Sequence, residues 1–197
     1  MADSTRNRLL AAAERILVEQ GVNALSVRRI GDHAGLNPTL VTYHFKTVLN
    51  LLDELCSLNL DPILGGWRGI DPAACRETEL DEVLRLWLAP MFAPAAFTPG
   101  GRALIVLDEI VAHGDPVPRL KVMDAMTEFA ARLRATLVPK LPGLAEDELR
   151  ARVRFISGAA LGPPPRIRRA PPDAGDDSWM GDDLARMLRF ARAALTG

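Results

Sequence analysis

The chain has 197 residues, 48% of them hydrophobic, and 24 Lys and Arg against 25 Asp and Glu leave a formal charge of -1. That content excludes a disordered or collagen-like chain and supplies enough apolar area for a real core, in one domain or two small ones. The longest uncharged stretch is broken by Pro90, Pro94 and Pro99, so no segment of about 20 residues is suited to crossing a bilayer. The N-terminus Met1-Ala2-Asp3-Ser4-Thr5-Arg6 runs into Arg8, Glu14 and Arg15, which is no signal-peptide core, and a cytoplasmic protein is expected. Cys56 and Cys75 lack paired Cys or His spacing and read as reduced thiols rather than a disulfide framework or zinc site.

Apolar residues recur at helical spacing nearly everywhere, and no alternating run persists for a strand's length, so the fold class is all-α. Leu9, Leu10, Ala13, Ile16 and Leu17 form one face of a helix over about 5–20, capped by Ser4 and stopped by Gly21. Ser26 caps a short helix, Val27 to His33, which turns through Ala34-Gly35-Leu36 into a second start signal, Asn37 followed by Pro38. Thr47 caps a longer helix, expected to end at Asp61-Pro62.

Further helices are predicted over Thr78 to about Phe92, Gly101 to Ala112, Val117 to Val138, Ala145 to Leu161 and Asp182 to Leu195. The second of these is apolar almost all round and should be buried, with Asp108 or Glu109 then needing a partner such as Arg102, His113 or a ligand. Gly162 to Asp177, with five prolines, is expected as loop, and Asp173, Asp176, Asp177, Asp182 and Asp183 as solvated charges.

The informative segment is Ser26 to Lys46. Val27, Ile30, Ala34, Leu36 and Val41 supply the inner faces of two short helices, and Gly35 allows the tight reversal of a helix-turn-helix. Placing Val41 inward and advancing 100° per residue puts Thr39 and Tyr43 opposite it, with Leu40 and Thr42 on the flanks. A major groove admits one such helix and presents distinct donors, acceptors and methyl groups at each base pair. Thr39 and Thr42 are placed for base edges or methyls, Leu40 for a thymine methyl, and Tyr43, His44 and Lys46 for phosphate oxygens. Ser26 and the free N–H groups it heads form a second anion site, and Arg28 reaches a phosphate or a guanine edge.

The N-terminal helix, the Gly21 stop, and Ala34-Gly35-Leu36-Asn37-Pro38 through Tyr43-His44-Phe45 resemble the TetR family of bacterial transcriptional regulators over about residues 5 to 55. The resemblance implies a three-helix DNA-binding domain, residues 1–46, and a helical effector-binding and dimerisation domain, residues 47–197, about nine helices in all. It implies a homodimer on a near-palindromic operator of double-stranded DNA, usually a repressor released by a small molecule. One departure is Val48, where family members commonly carry Lys at the first turn of the fourth helix; Lys46 lies two residues earlier.

The resemblance assigns the apolar second half to the effector. Trp67, Trp87, Met91, Phe97, Met126 and Phe129, with Asp108 and His113, are the candidate ligand-lining residues, although the same aromatic and Met pattern also suits ordinary core. Leu149, Val153 and Ile156 with Leu184, Leu188 and Ala191 are candidates for a four-helix dimer interface, a pattern that packing within one subunit would share. No nucleophile elbow, phosphate loop, HExxH or GxGxxG is present, so no enzyme, cofactor or metal is expected. The charge is segregated: residues 1–50 hold six basic against four acidic groups, and residues 51–197 eighteen against twenty-one. The net charge of the first part favours a nucleic-acid partner only modestly, so non-specific affinity should be weak.

Overall fold

The computed structural model describes residues 4–113, 116–162 and 178–197. Among them are α1 (Thr5–Gln20), α2 (Val27–Ala34), α3 (Thr39–Phe45), α4 (Val48–Gly66), α5 (Leu80–Leu88), α6 (Ala103–His113), α7 (Pro116–Leu137), α8 (Glu146–Leu161) and α9 (Ser178–Thr196). No strand occurs among the described residues; one isolated bridge pairs Pro94 with Arg102. The predicted loop with Asp173, Asp176 and Asp177 lies outside the described residues.

The chain divides into two compact units. The first holds the N-terminal residues through Asp61 together with Pro94–Met123. In it, Leu9, Leu10, Ala13, Ile16 and Leu17 are buried as their spacing predicts. Ser4 Oγ accepts from the backbone N–H of Asn7 (3.3 Å), and Gly21, at φ +83°, donates its N–H to Leu17 O (2.9 Å). Ser26 Oγ accepts from Arg29 N (3.2 Å), and α2 ends on Gly35 in the left-handed region, φ +62° and ψ +38°. Gly31 is required for a different reason: a Cβ there would lie 2.7 Å from Pro38 Cα, so only a hydrogen lets the two helices approach. Ile30, Val41 and Phe45 close the small core, each contributing about 1.5–3 kcal/mol by its burial.

This unit also buries two polar side chains, Glu14 and Asn59. Asn59 Nδ2 donates to Glu14 Oε2 (3.0 Å) and to Leu55 O (3.0 Å), while Asn59 Oδ1 accepts from Ala96 N (3.2 Å). Glu14 Oε1 accepts from Phe97 N (2.9 Å). A buried carboxylate is tolerable only when hydrogen-bonded in this way.

The second unit holds Pro62–Ala93 and the described residues of 124–166 and 175–197. Trp67, Ile70, Val83, Leu84, Trp87, Leu88, Leu133, Leu137 and Leu195 are buried in its core. Trp67 stacks on Phe129 with ring centroids 3.6 Å apart, and its Nε1 donates to Trp87 O (2.8 Å). Near its C-terminal end, Arg152 donates to Glu148 (2.7 Å) and to Ala194 O (2.8 Å), fastening α8 to α9.

Three helix boundaries differ from expectation, one of them the start of α9, which lies at Ser178 rather than Asp182. The helix begun at Thr47 does not stop at Pro62 but continues to Gly66. An interior proline costs about 3 kcal/mol, and burial of Ile63 and the following Trp67 offsets that loss. The expected single helix from Thr78 to Phe92 is instead α5 followed by a 3-10 turn, Ala89–Phe92, because Pro90 has no N–H to continue the α pattern.

Candidate DNA-binding surface

The outward face of α3 carries the side chains that spacing placed there. Thr39, Thr42 and Tyr43 are exposed, Tyr43 by 72%, Leu40 is half-buried, and Val41 and Phe45 point into the core. His44 is half-buried and meets the Tyr43 ring edge-on, centroids 5.0 Å apart at 86°. The Arg6 guanidinium, paired with Glu54, sits 5.0 Å over the Phe45 ring and covers the inner end of α3.

The entry to α3 is organised by Asn37. Its Oδ1 accepts both from Thr39 N (2.9 Å) and from Thr39 Oγ1 (2.8 Å), while Pro38 already has helical dihedrals. The exit is organised by Lys46, the one non-glycine residue with positive φ among those described, at φ +68° and ψ -51°. Thr47 N donates to Phe45 O (2.8 Å) across it, which makes a γ-turn of the rare positive-φ kind. Asn50 Nδ2 donates to the same carbonyl (2.9 Å), and Thr47 Oγ1 accepts from Asn50 N (3.1 Å), capping α4 as its sequence predicts. The turn leaves the Lys46 ammonium exposed just beyond the helix.

The preceding helix contributes Ser26 and Arg28. Ser26 is half-buried with its oxygen engaged by Arg29 N, and Arg28 is exposed, 3.8 Å from Asp32 in a solvent-facing pair that constrains it little. Arg29 points to Gln20 instead. Asp32 is the single acid between Ser26 and Lys46, so this surface is locally basic. The sequence marked Asn37 only as a helix start; its hold on the Thr39 hydroxyl, like the steric role of Gly31, is a matter of distances.

The candidate effector residues fall in different units. Trp67, Trp87, Met91 and Phe129 are buried and Met126 half-buried in the second unit. Phe97 and Asp108 are half-buried in the first, which also holds the backbone of His113, whose side chain lies outside the described residues. One ring face each of Trp67 and Phe129 is taken up by their mutual stack. Among the candidate dimer residues, Leu149, Val153, Ile156 and Ala191 are buried within the chain and Leu184 and Leu188 half-buried. Packing inside one subunit thus consumes most of that pattern. Among the described residues, the large apolar side chains exposed on α8 and α9 are Phe155 and Phe190, at 63% and 50%.

Among the described residues no helix is long and apolar enough to cross a membrane, and no group of His, Cys, Asp and Glu is arranged to hold a metal. The sequence model of bacterial regulatory proteins of the tetR family matches residues 9–55. No curated protein matches the chain in sequence. Among solved structures it is similar to the probable transcriptional regulatory protein RHA5900, at 18% identity over 98% of this chain and 99% of that one, with a TM-score of 0.73. It is similar also to SCO3833 of Streptomyces coelicolor A3, at 18% identity over 96% and 91%, TM-score 0.66. PfmR of Thermus thermophilus resembles it at 19% identity over 98% and 97%, TM-score 0.63. At these identities the likeness shows a shared fold. Residues 9–55, which carry the helices described above, are similar to the bacterial regulatory proteins of the tetR family.

Proposed function

We propose that the protein is a homodimeric transcriptional repressor that binds a near-palindromic operator through α3 and is released by a small, largely apolar effector. The outward face of α3 carries the reading: three polar or aromatic side chains, Thr39, Thr42 and Tyr43, stand exposed on a helix whose other side is locked into the core. In this reading Thr39, Leu40 and Thr42 address bases, while Ser26, Tyr43, His44 and Lys46 address phosphates and Arg28 either. Lys46, held out by its turn, supplies the cation that Val48 does not. Pro38 sets the helix entry.

Two recognition helices must sit about 34 to 36 Å apart, or a multiple of that, to enter successive major grooves. An effector that binds better to a conformer with another spacing shifts the population away from DNA. The aromatic and Met-rich second unit suits an apolar effector. The second subunit is received on α8 and α9 through the exposed Phe155 and Phe190, with Leu184 and Leu188 at the margin.

Footprinting on DNA flanking the protein's own gene tests the function. Protection of a near-palindrome at moderate salt, relieved by apolar candidate effectors, is the expected result. No protected site overturns the regulator reading, and protection indifferent to every effector favours an architectural DNA binder. Sedimentation of Phe155→Glu/Phe190→Glu tests the interface: the variant is expected to be monomeric, and an unchanged dimer would place the contact elsewhere.

A further inference from the structure

We infer that Asn37 makes Thr39 an acceptor-only reader, so that each subunit selects an exocyclic amino group, adenine N6 or cytosine N4, at one base pair of its half-site. The inference rests on the proposed DNA contact by α3 and adds which bases that contact selects.

The argument turns on one oxygen. Thr39 N and Thr39 Oγ1 both lie within hydrogen-bond distance of the same Asn37 atom, at 2.9 and 2.8 Å. A backbone N–H can only donate, so the Asn37 atom facing it must be the amide oxygen and not the NH2 group. That oxygen has no proton to give. The Thr39 hydroxyl must therefore be the donor in the second bond, and its single proton is spent on Asn37. What Thr39 Oγ1 presents outward is lone pairs alone.

A free threonine hydroxyl rotates and is satisfied by donors and acceptors alike, which is why it discriminates poorly between bases. A hydroxyl whose proton is committed meets the major groove differently. Adenine N6–H2 and cytosine N4–H2 offer it a proton, whereas guanine O6 and N7 and thymine O4 face it lone pair to lone pair. Thr39 is exposed on the outward face of α3, so nothing within its own unit competes for those lone pairs in the contacts it makes there. The same bond holds χ1 of Thr39 in place before DNA arrives, which removes an entropic cost of binding. Asn37 is thus a positioning residue, and Thr39 the reading one.

The test is selection of duplexes from a pool with randomised centres by the full chain, with variants at both positions. The wild type is expected to enrich one base pair at a symmetric position per half-site, and to lose affinity when the adenine of that pair is replaced by purine, or its cytosine by 2-pyrimidinone, each lacking the exocyclic amino group. Thr39→Val, which keeps the shape and removes the oxygen, should erase that preference while leaving the other positions unchanged; Thr39→Ser should retain it. Asn37→Ala, checked for helicity by circular dichroism, returns the rotating hydroxyl, and the reversed base pair, which puts a guanine or thymine acceptor where the amino group stood, should rise about 5-fold at that position. Unchanged wild-type affinity for the duplex lacking that amino group overturns the inference, as does an unchanged profile for Thr39→Val or for folded Asn37→Ala. No enriched sequence from the wild type overturns the DNA-binding reading itself, and this inference with it.

Discussion

Glu109 on α6 accepts a hydrogen bond from the backbone N–H of Val22, 3.1 Å away, at the turn that follows α1. The same carboxylate oxygen lies 2.9 Å from where a Cβ on Gly21 would stand. A single side chain of α6 thereby fixes the turn between the first two helices of the first unit. Removing it leaves a half-buried N–H without this acceptor. Glu109→Ala is expected to lower unfolding free energy by about 1–2 kcal/mol in urea titration, and Glu109→Gln, which keeps an acceptor, by less. Gly21→Ala should be destabilising as well, because it combines positive φ with the close oxygen.

The Glu14–Asn59 pair ties the segment at Ala96 and Phe97 to α1 and α4 from inside the core. Asn59 is both donor to the carboxylate and acceptor for Ala96 N, so neither function survives in alanine. Asn59→Ala should cost about 2–4 kcal/mol, and Asn59→Asp more, since it sets a second carboxylate against Glu14 with no donor between them. Denaturation midpoints of the two variants decide the order. An aspartate variant as stable as the alanine one would mean that the contact with Glu14 does not set the cost of the substitution.

Lys46 combines backbone strain with an exposed cation. Residues in sparsely populated dihedral regions cost about 1–3 kcal/mol, and glycine adopts positive φ freely. Lys46→Gly is expected to raise stability by about 1 kcal/mol while weakening binding to every DNA sequence. If Lys46 meets a phosphate, the slope of log affinity against log salt should fall by about 0.9 per subunit. A gain in stability without any change of slope would remove Lys46 from the interface.

Cys56 is buried, with its thiol 3.9 Å from Pro118 O, and burial pushes its pKa up from 9.0 to about 11. The Lys121 ammonium works against that shift, while Asp53 and Asp61 add to it. The folded state thus favours the protonated thiol. Its contribution to stability is complete below pH 9 and is lost as pH rises toward 11, so the melting temperature of the wild type should fall across that window more than that of Cys56→Ala. Near pH 8 the native thiol should react with iodoacetamide far more slowly than the unfolded one, because the thiolate is the nucleophile.

Helix identity and the outward face of α3 were legible because both depend on short-range periodicity. Leu9 to Leu17 repeat with the helical turn, and Val41 inward dictates Thr39 and Tyr43 outward whatever surrounds them. Caps were legible for the same reason: Ser4, Ser26 and Thr47 act on N–H groups three residues away. The end of α4 was misjudged because the local cost of Pro62 is visible in sequence, whereas burial of Ile63 and Trp67 is a property of distant partners.

The sequence by itself determined the all-α class, the helix-turn-helix and the side chains it turns outward, since each follows from residue types within one or two helical turns. Only tertiary structure decided how far each apolar stripe is covered: Leu149, Val153 and Ile156 of α8 and Ala191 of α9 are buried while Leu184 and Leu188 of α9 are half-buried, although both stripes repeat at spacings a helix can bury. It alone decided that Glu14, Asn59 and Glu109 are hydrogen-bonded to backbone far along the chain. Burial and hydrogen bonding at long sequence separation depend on what the folded chain brings alongside, and no local pattern encodes that.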